Sequence, residues 1–513
     1  MSTEYVLELK EVSKHFGEVI ANDHINLNVK KGEILAILGE NGSGKTTLMN
    51  MIAGIYYPDA GEIYVKNKLV TIRSPKDSLA LKIGMIHQHF KLIDVLTAAE
   101  NIILGLPGKQ HLNMEAVKKE IQELMDRNGF ELNLDQKIYS MSVSQKQTVE
   151  IVKVLYRGAD LLILDEPTAV LTPQETKKLF DVLRKMRANG KSIIIITHKL
   201  NEVLELSDRV SVLRKGKYIG TVETKQATIE SLTEMMVGEK VSLNIKRALP
   251  KNRELRLEMK GVTCQDSEGI RVLVNASFKA YSGEILGVAG ISGNGQKELL
   301  ESVAGLVSAS EGEILYHDGK GIIYRLDKMD AGQIKKLDIA LSFVPEDRLG
   351  MGLVGSMDAT DNMMLRSYNE GKGHFLDRKT PRALAKKIIE KLEVVTPGVE
   401  TPVSRLSGGN VQKLLVGREI ASNPSLLMVA YPVRGLDINS SYVIYNLLNE
   451  QKEKGVAVIC VIEDLDVLLE LCDRIMVLNS GHVAAIVDAR KTTKEEIGML
   501  MTAMPTKERA VNE

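Results

Sequence analysis

"GENGSGKTTL", Gly39–Leu48, holds two glycines separated by four residues and followed at once by Lys45 and Thr46, the pattern G-x-x-x-x-G-K-[ST]. An apolar run, "GEILAIL", leads into it, and "KTTLMNMIAG", with helical spacing, leads away. A strand that turns through glycines into a helix lets backbone N–H groups curl around phosphate oxygens and aims the positive end of the helix at them. Gly39, Glu40, Asn41, Gly42, Ser43, Gly44 and Thr47 are therefore the expected phosphate cradle. Lys45 is placed to neutralise β/γ charge and Thr46 to ligate Mg2+. An ordinary glycine-rich turn is the competing reading, and the rest of the chain decides against it.

"DLLILDEP", Asp160–Pro167, is a short apolar strand ending in two carboxylates. Asp165 falls where a metal would sit, and Glu166 where it orients or deprotonates a water attacking the γ-phosphate. "KSIIIITH" is a second wholly apolar strand, as in a buried parallel sheet, and ends in His198, a candidate γ-phosphate contact. Gln88, in "GMIHQHF", comes after another short apolar strand and is a candidate for both Mg2+ and the attacking water. His87 and His89 read as structural. Phe16, in "SKHFGEV", is a candidate for stacking on adenine, against the bland reading of a core phenylalanine.

The chain repeats itself. "GISGNGQKELL", Gly290–Leu300, lies 251 positions after the first loop, and the same offset relates "GEIL" at Gly32 to "GEIL" at Gly283 and "GEI" at Gly61 to "GEI" at Gly312. Further on the offset is 265: Ser142 pairs with Ser407, and "SDRV" at Ser207 with "CDRI" at Cys472. Such a duplication predicts two homologous α/β halves. The polar stretch "VSLNIKRALPKNRE" is the natural joint. The expected division is 1–240, a linker 241–254, a second half 255–506 and a polar tail 507–513.

A chain of 513 residues is too long for one core. Its 67 basic and 67 acidic residues cancel, which gives no pull toward nucleic acid. The longest aliphatic run, Ser192–Thr197, is too short to span a bilayer, and the N-terminus lacks a secretory pattern. Cys264, Cys460 and Cys472 share no metal-ligand spacing and read as buried thiols of a cytosolic protein.

Phosphate loop, Gln88, a serine-led motif, "LLILDEP" and His198, in that order, resemble an ATP-binding cassette domain. "LSGG", Leu406–Gly409, resembles the signature of that family. The whole chain resembles the fused, tandem ATP-hydrolysing subunit of importers for sugars and nucleosides. "HQHFKL", "PTAVLTPQE" and "PEDR" are closer to the nucleoside branch than to the ribose or galactose branch, which is the alternative. The resemblance implies two tandem P-loop cassettes, each a mainly parallel sheet with an antiparallel β part and a helical subdomain. It implies ATP and Mg2+ as cofactors, and each ATP held between one half's loop and the other half's signature, with Ser407, Gly408 and Gly409 reaching the first loop. As partners it implies two membrane permease subunits, with a substrate-binding lipoprotein outside, and a place for the chain on the cytoplasmic face of the membrane. Ribosome-acting tandem cassettes fit less well, since they carry a long charged linker and two intact sites. DNA-repair cassettes need a long coiled coil, and no sustained heptads occur.

Paired by the offsets, and for Gln88 by motif order between them, the halves are unequal. Lys45 becomes Gln296, Thr46 becomes Lys297, Gln88 becomes Glu346, Asp165 becomes Ala430, Glu166 becomes Tyr431 and His198 becomes Glu463. Lys297 cannot take over from Gln296, because one residue along a helix turns a side chain by about 100°. The first half's signature, "MSVSQKQ", carries Ser144 where a glycine is needed. The damaged loop and the damaged signature fall on the same expected composite site, which leaves one site built for hydrolysis.

Overall fold

The computed structural model describes residues 4–87, 90–106, 113–169, 171–238, 245, 247–250, 253–266, 268–291, 293–336, 341–345, 347–368, 376–434 and 436–502. The expected 507–513 tail, much of the expected linker, Gln88, His89 and Glu346 lie outside them. The chain divides into two units, Met1–Ser242 and Leu243–Glu513. Ile245 packs on the core of the second unit, and Arg247 donates to the Leu469 carbonyl at 2.9 Å.

In the first unit the strands are β1 (Tyr5–Phe16), β2 (Val19–Lys30), β3 (Ile34–Leu38), β4 (Ala60–Val65), β5 (Lys68–Val70), β6 (Ile83–Ile86), β7 (Leu161–Asp165), β8 (Ser192–Thr197), β9 (Arg209–Arg214) and β10 (Lys217–Glu223). They run side by side in the order β5-β4-β1-β2-β10-β9-β3-β8-β7-β6. The stretch from β9 to β6 is parallel, whereas β1, β2, β4 and β5 pair antiparallel. The sequence accounts for the difference. β3, β7 and β8 are apolar at almost every position and buried on both faces, as central parallel strands must be. β2 alternates instead, burying Ile25, Leu27 and Val29 with exposed or half-buried residues between them.

The second unit repeats this plan with β11 (Leu255–Gln265), β12 (Arg271–Tyr281), β13 (Ile285–Ala289), β14 (Ala309–His317), β15 (Ile323–Arg325), β16 (Leu341–Val344), β17 (Leu426–Ala430), β18 (Ala457–Val461), β19 (Arg474–Asn479) and β20 (His482–Asp488). Its antiparallel sheet is β12-β11-β14-β15, and its mainly parallel sheet is β16-β17-β18-β13-β19-β20. Along β13, Ile285 and Ala289 enter one core while Leu286 and Val288 enter the other, so one strand serves both faces. The helical parts are Ala98–Ile103, Met114–Asn128 and Val143–Tyr156 in the first unit, and Ala359–Met364, Lys379–Lys391 and Gly408–Ala421 in the second. The α/β architecture expected from the sequence, built twice, is the one observed. Among the described residues no helix is long and apolar enough to cross a membrane.

The same carboxylate anchors both loop-bearing strands. Asp208 accepts the Ile34 N–H at 2.9 Å, and its counterpart Asp473 accepts the Ile285 N–H at 3.0 Å. Asp473 also meets the ammonium of Lys452 at 2.8 Å, with both side chains almost wholly buried. Asp208 instead pairs with the partly exposed Arg187. Removing one member of a buried pair strands the other charge, which costs about 3–5 kcal/mol. Asp473→Ala should therefore destabilise the second unit by that amount in urea unfolding, and Asp208→Ala should weaken the first unit clearly less. A loss below about 1 kcal/mol for Asp473→Ala, the scale of a surface pair, would show that the pair is not a structural anchor.

Candidate phosphate and hydrolysis site

The loop after β3 delivers Lys45 to the start of the helix Lys45–Ile52. Gly44 precedes that helix at φ 95, in the left-handed region, and a Cβ there would run into the Ala21 carbonyl. The Gly44 cap has no side chain to bond the N–H groups of the first turn, so they remain directed at the loop. Lys45 is buried, and its Nζ donates to the carbonyls of Gly39 at 2.8 Å and Glu40 at 2.9 Å. Burial holds its ammonium below the ordinary lysine range, while the carboxylates of Glu166, Asp165 and Glu40 oppose that. Among the described residues the buried Oγ of Ser43 has no hydrogen-bond partner, a donor left over inside a loop shaped for an anion.

Three parallel neighbours, β3, β8 and β7, end together. Asp165 closes β7 and accepts from Thr46 Oγ1 at 3.3 Å. Burial, then the charge of Glu166, push its carboxyl above the usual range. Glu166 comes next at φ 47, with its N–H tied to the Ile196 carbonyl at 2.9 Å. Its Oε1 meets Nδ1 of His198, just past β8, at 2.9 Å, and that bond holds the Glu166 carboxyl below the usual range despite burial. The structure thus brings Lys45, Thr46, Asp165, Glu166 and His198 into one cluster at the strand ends. Gln88 lies outside the described residues. Phe16 ends β1 half exposed, with Tyr56 edge-on at 5.2 Å and Lys14 Nζ 5.6 Å from its ring centre. Asn41 and Gly42 lie on the exposed rim of the loop, and Glu40 and Thr47 are half buried.

Ser407, Gly408 and Gly409 sit in the second unit, where Ser407 caps the helix Gly408–Ala421 and accepts from Asn410 Nδ2 at 2.9 Å. The first unit has the same device one offset earlier: Ser142 caps Val143–Tyr156 and exchanges hydrogen bonds with Gln145.

The second unit keeps the backbone of the site and changes its chemistry. Gly295 has φ 94 and Tyr431 φ 47, matching Gly44 and Glu166. The Tyr431 N–H donates to the Val461 carbonyl at 3.0 Å, as the Glu166 N–H does to Ile196. Gln296 is buried and donates to the Ile291 carbonyl at 2.9 Å, a neutral replica of the contact of Lys45 with Glu40. Lys297 points away, largely exposed, 3.8 Å from Glu301. Where Glu166 and His198 pair in the first unit, Glu463 pairs with Arg434 at 3.7 Å, and Arg434 lies over the Tyr431 ring.

Sequence reading missed Asn22. It is fully buried on β2, and its Nδ2 donates to the Gly44 carbonyl at 3.2 Å. The signal was available in the repeat, since the same offset places Leu273 there in the second copy. Also missed were Glu150 and Lys153 of the helix Val143–Tyr156. They hold the backbone on both sides of one residue just beyond Gln88: Glu150 accepts the Lys91 N–H at 2.7 Å, and Lys153 donates to the Lys91 carbonyl at 3.0 Å.

Fold and loop define an ATP-binding α/β protein with a phosphate loop, built twice in one chain. The chain belongs to the ABC transporter family, whose model matches residues 22–169 and 273–432. It is 42% identical over 506 residues to the nucleoside import ATP-binding protein NupA of Lactococcus lactis subsp. cremoris, covering 98% of this chain and 99% of that one. It is 42% identical to the guanosine import ATP-binding protein NupO of Bacillus subtilis, over 98% of this chain and 99% of the relative. To the glucose import ATP-binding protein TsgD13 of Haloferax volcanii it is 40% identical, over 98% and 96%. The chain is an ATPase of this family.

Asn22→Leu, which installs the residue of the second copy, should leave the fold intact and loosen the Gly44 carbonyl. One hydrogen bond of about 1 kcal/mol corresponds to roughly fivefold weaker ATP binding. Titration of a fluorescent ATP analogue into the full chain checks this, and unchanged affinity would remove Asn22 from the support of the loop.

Proposed function

We propose that this chain energises a membrane importer for nucleosides, with one hydrolytic site and one inert site. The observation that carries the asymmetry is the second copy itself: its backbone is retained while Lys, Asp, Glu and His are replaced by Gln296, Ala430, Tyr431 and Glu463. The names of NupA and NupO support a nucleoside cargo, as do "HQHFKL" and "PTAVLTPQE". A monosaccharide cargo is the second reading, favoured by the nearly equal likeness to TsgD13.

In the working site, the N–H groups of the Gly39–Thr47 loop hold the phosphates, and Phe16 stacks on adenine. Lys45 neutralises the β- and γ-phosphate oxygens. Mg2+ would be held by Thr46, Asp165 and Gln88; the adjoining hydroxyl and carboxylate oxygens of Thr46 and Asp165 suit a hard cation, which adds charge neutralisation when bound. Glu166, kept ionised by its bond to His198, orients and deprotonates the attacking water. His198 holds the Glu166 carboxylate and contacts the γ-phosphate. Ser407, Gly408 and Gly409 approach the same phosphate from the second half.

The chain works on the cytoplasmic face of the membrane against two permease subunits, which receive substrate from an outer binding lipoprotein. The docking surface lies in 90–140 and 347–404. There Ile93, Val95 and Tyr139 in one half, and Met351, Met357 and Tyr368 in the other, are exposed apolar residues.

Glu166→Gln should trap ATP with little turnover, and Lys45→Ala should weaken binding as well, each with a rate loss of about 10²-fold or more. Gly408→Asp should be nearly as damaging, because it aims a carboxylate at the γ-phosphate. Gln296→Ala, Tyr431→Ala and Ser144→Asp should leave most hydrolysis in the assembled transporter. Loss of turnover in Gln296→Ala equal to that in Glu166→Gln would end the one-site reading.

Uptake of labelled uridine, guanosine, ribose and glucose by a deletion strain tests the cargo separately. Loss of uridine and guanosine uptake is expected. Loss of monosaccharide uptake alone would transfer the assignment to the second reading.

A further inference from the structure

Both units tie the chain beyond the Gln88 or Glu346 position to the last turn of the signature helix. Lys153 does so through the Lys91 carbonyl at 3.0 Å, and its counterpart Arg418 through the Gly352 carbonyl at 2.7 Å. The second unit adds a further tie. Arg348, in "PEDR", is half buried, and one of its nitrogens donates to the Gly408 carbonyl at 3.1 Å. Its other terminal nitrogen donates to the carbonyl of Arg434. The pairing that sets Gln88 against Glu346 sets Phe90 against Arg348, and a phenyl ring cannot make either bond. Burial, then the charge of Arg434, hold the guanidinium of Arg348 below the ordinary arginine range, and the two carbonyls are the acceptors that meet it there.

The two carbonyls belong to different working parts. Gly408 opens the signature helix. Arg434 belongs to the changed site of the second copy, where its side chain reaches Tyr431 and Glu463, the replacements for Glu166 and His198. A Cβ on Gly408 would sit 3.1 Å from the guanidinium, a tight contact that Arg348 would relieve only by shifting a few tenths of an ångström. A planar fork of donors spans two carbonyls in fixed geometry, which a single ammonium does not.

We infer that Arg348 is a positioning residue for hydrolysis, and that it uses the inert site of the second copy as a fixed anchor for the signature offered to the first. The inference rests on the composite-site reading above. It assigns the inert site a role without nucleotide turnover: the Tyr431 N–H bonded to the Val461 carbonyl at 3.0 Å and the Arg434 N–H bonded to the Tyr431 carbonyl at 3.2 Å hold the segment that Arg348 grips. A signature held in place matters most as the γ-phosphate approaches the transition state, so its loss falls on kcat more than on ATP affinity.

The test compares the full chain, assembled with its permeases, as wild type, Arg348→Ala, Arg348→Phe, Arg348→Lys and Gly408→Asp. Arg348→Phe installs the residue that the first copy accommodates at this place, which keeps the test open if the alanine variant folds poorly. Arg348→Ala and Arg348→Phe should lower kcat about tenfold with KM for ATP within about twofold, and Arg348→Lys should recover less than half of the loss. Wild-type kcat in Arg348→Phe, a rise in KM that matches the fall in kcat, or full rescue by lysine would each overturn the clamp. Should Gly408→Asp itself leave turnover intact, the composite site is wrong. A dead Gly408→Asp beside a fully active Arg348→Phe fails this inference alone.

Discussion

Three parallel strands ending side by side are the constraint on which the rest of the site depends. Because β3, β8 and β7 are neighbours, Lys45 and Thr46 at the exit of β3 must face Asp165 and Glu166 at the end of β7 and His198 just past β8. Ligand sites of open α/β sheets form at such carboxyl ends because loops leave there and helix N-termini return there. The strands are buried on both faces, which fixes their order and register well beyond the strength of any single site contact. Residues more than a hundred positions apart therefore meet within hydrogen-bond reach, as Thr46 and Asp165 do at 3.3 Å.

How much of this was legible depends on where the information lies. Apolar strands bounded by breakers and a complete loop pattern are local, so β3, β7, β8 and the residues of the Gly39–Thr47 loop could be read directly. The duplication was legible because offsets survive divergence better than identities do. Contacts with backbone carbonyls were not. Asn22 is one polar residue in an alternating strand, Lys153 one lysine in a helix, and Arg348 part of a motif that served only to place the chain within a branch. Each acts on a carbonyl that any residue type would present, so no pairing rule in the sequence marks it. The repeat still held a trace of two of them, since Leu273 and Phe90 stand opposite Asn22 and Arg348.

The two copies also separate what the fold needs from what chemistry needs. The positive φ values at Gly44 and Gly295, and at Glu166 and Tyr431, agree to within a degree or two. The hydrogen bonds of Asp208 and Asp473 to their strands agree as well. These features hold the sheet and the turn, and they persist where Lys45, Asp165, Glu166 and His198 have been replaced. The charged side chains gathered at the strand ends are the ones that changed.

That division has an electrostatic reason. In the first copy burial pushes Lys45 below and Asp165 above their ordinary ranges, so the protein opposes the charged form of each. A site that binds a polyanion and a cation accepts this, because ligand charge compensates what solvent no longer does. Without that ligand the same charges only weaken the folded state, the familiar conflict between activity and stability. The second copy resolves it with Gln296, which keeps the contact of the loop lysine as a neutral amide, and with Ala430, which has nothing to desolvate. Two charges that it does carry, Arg434 and Glu463, pair with each other at the surface. A half relieved of ligand-dependent charge no longer needs bound nucleotide to offset buried charges at these positions, which is why its backbone can persist without them.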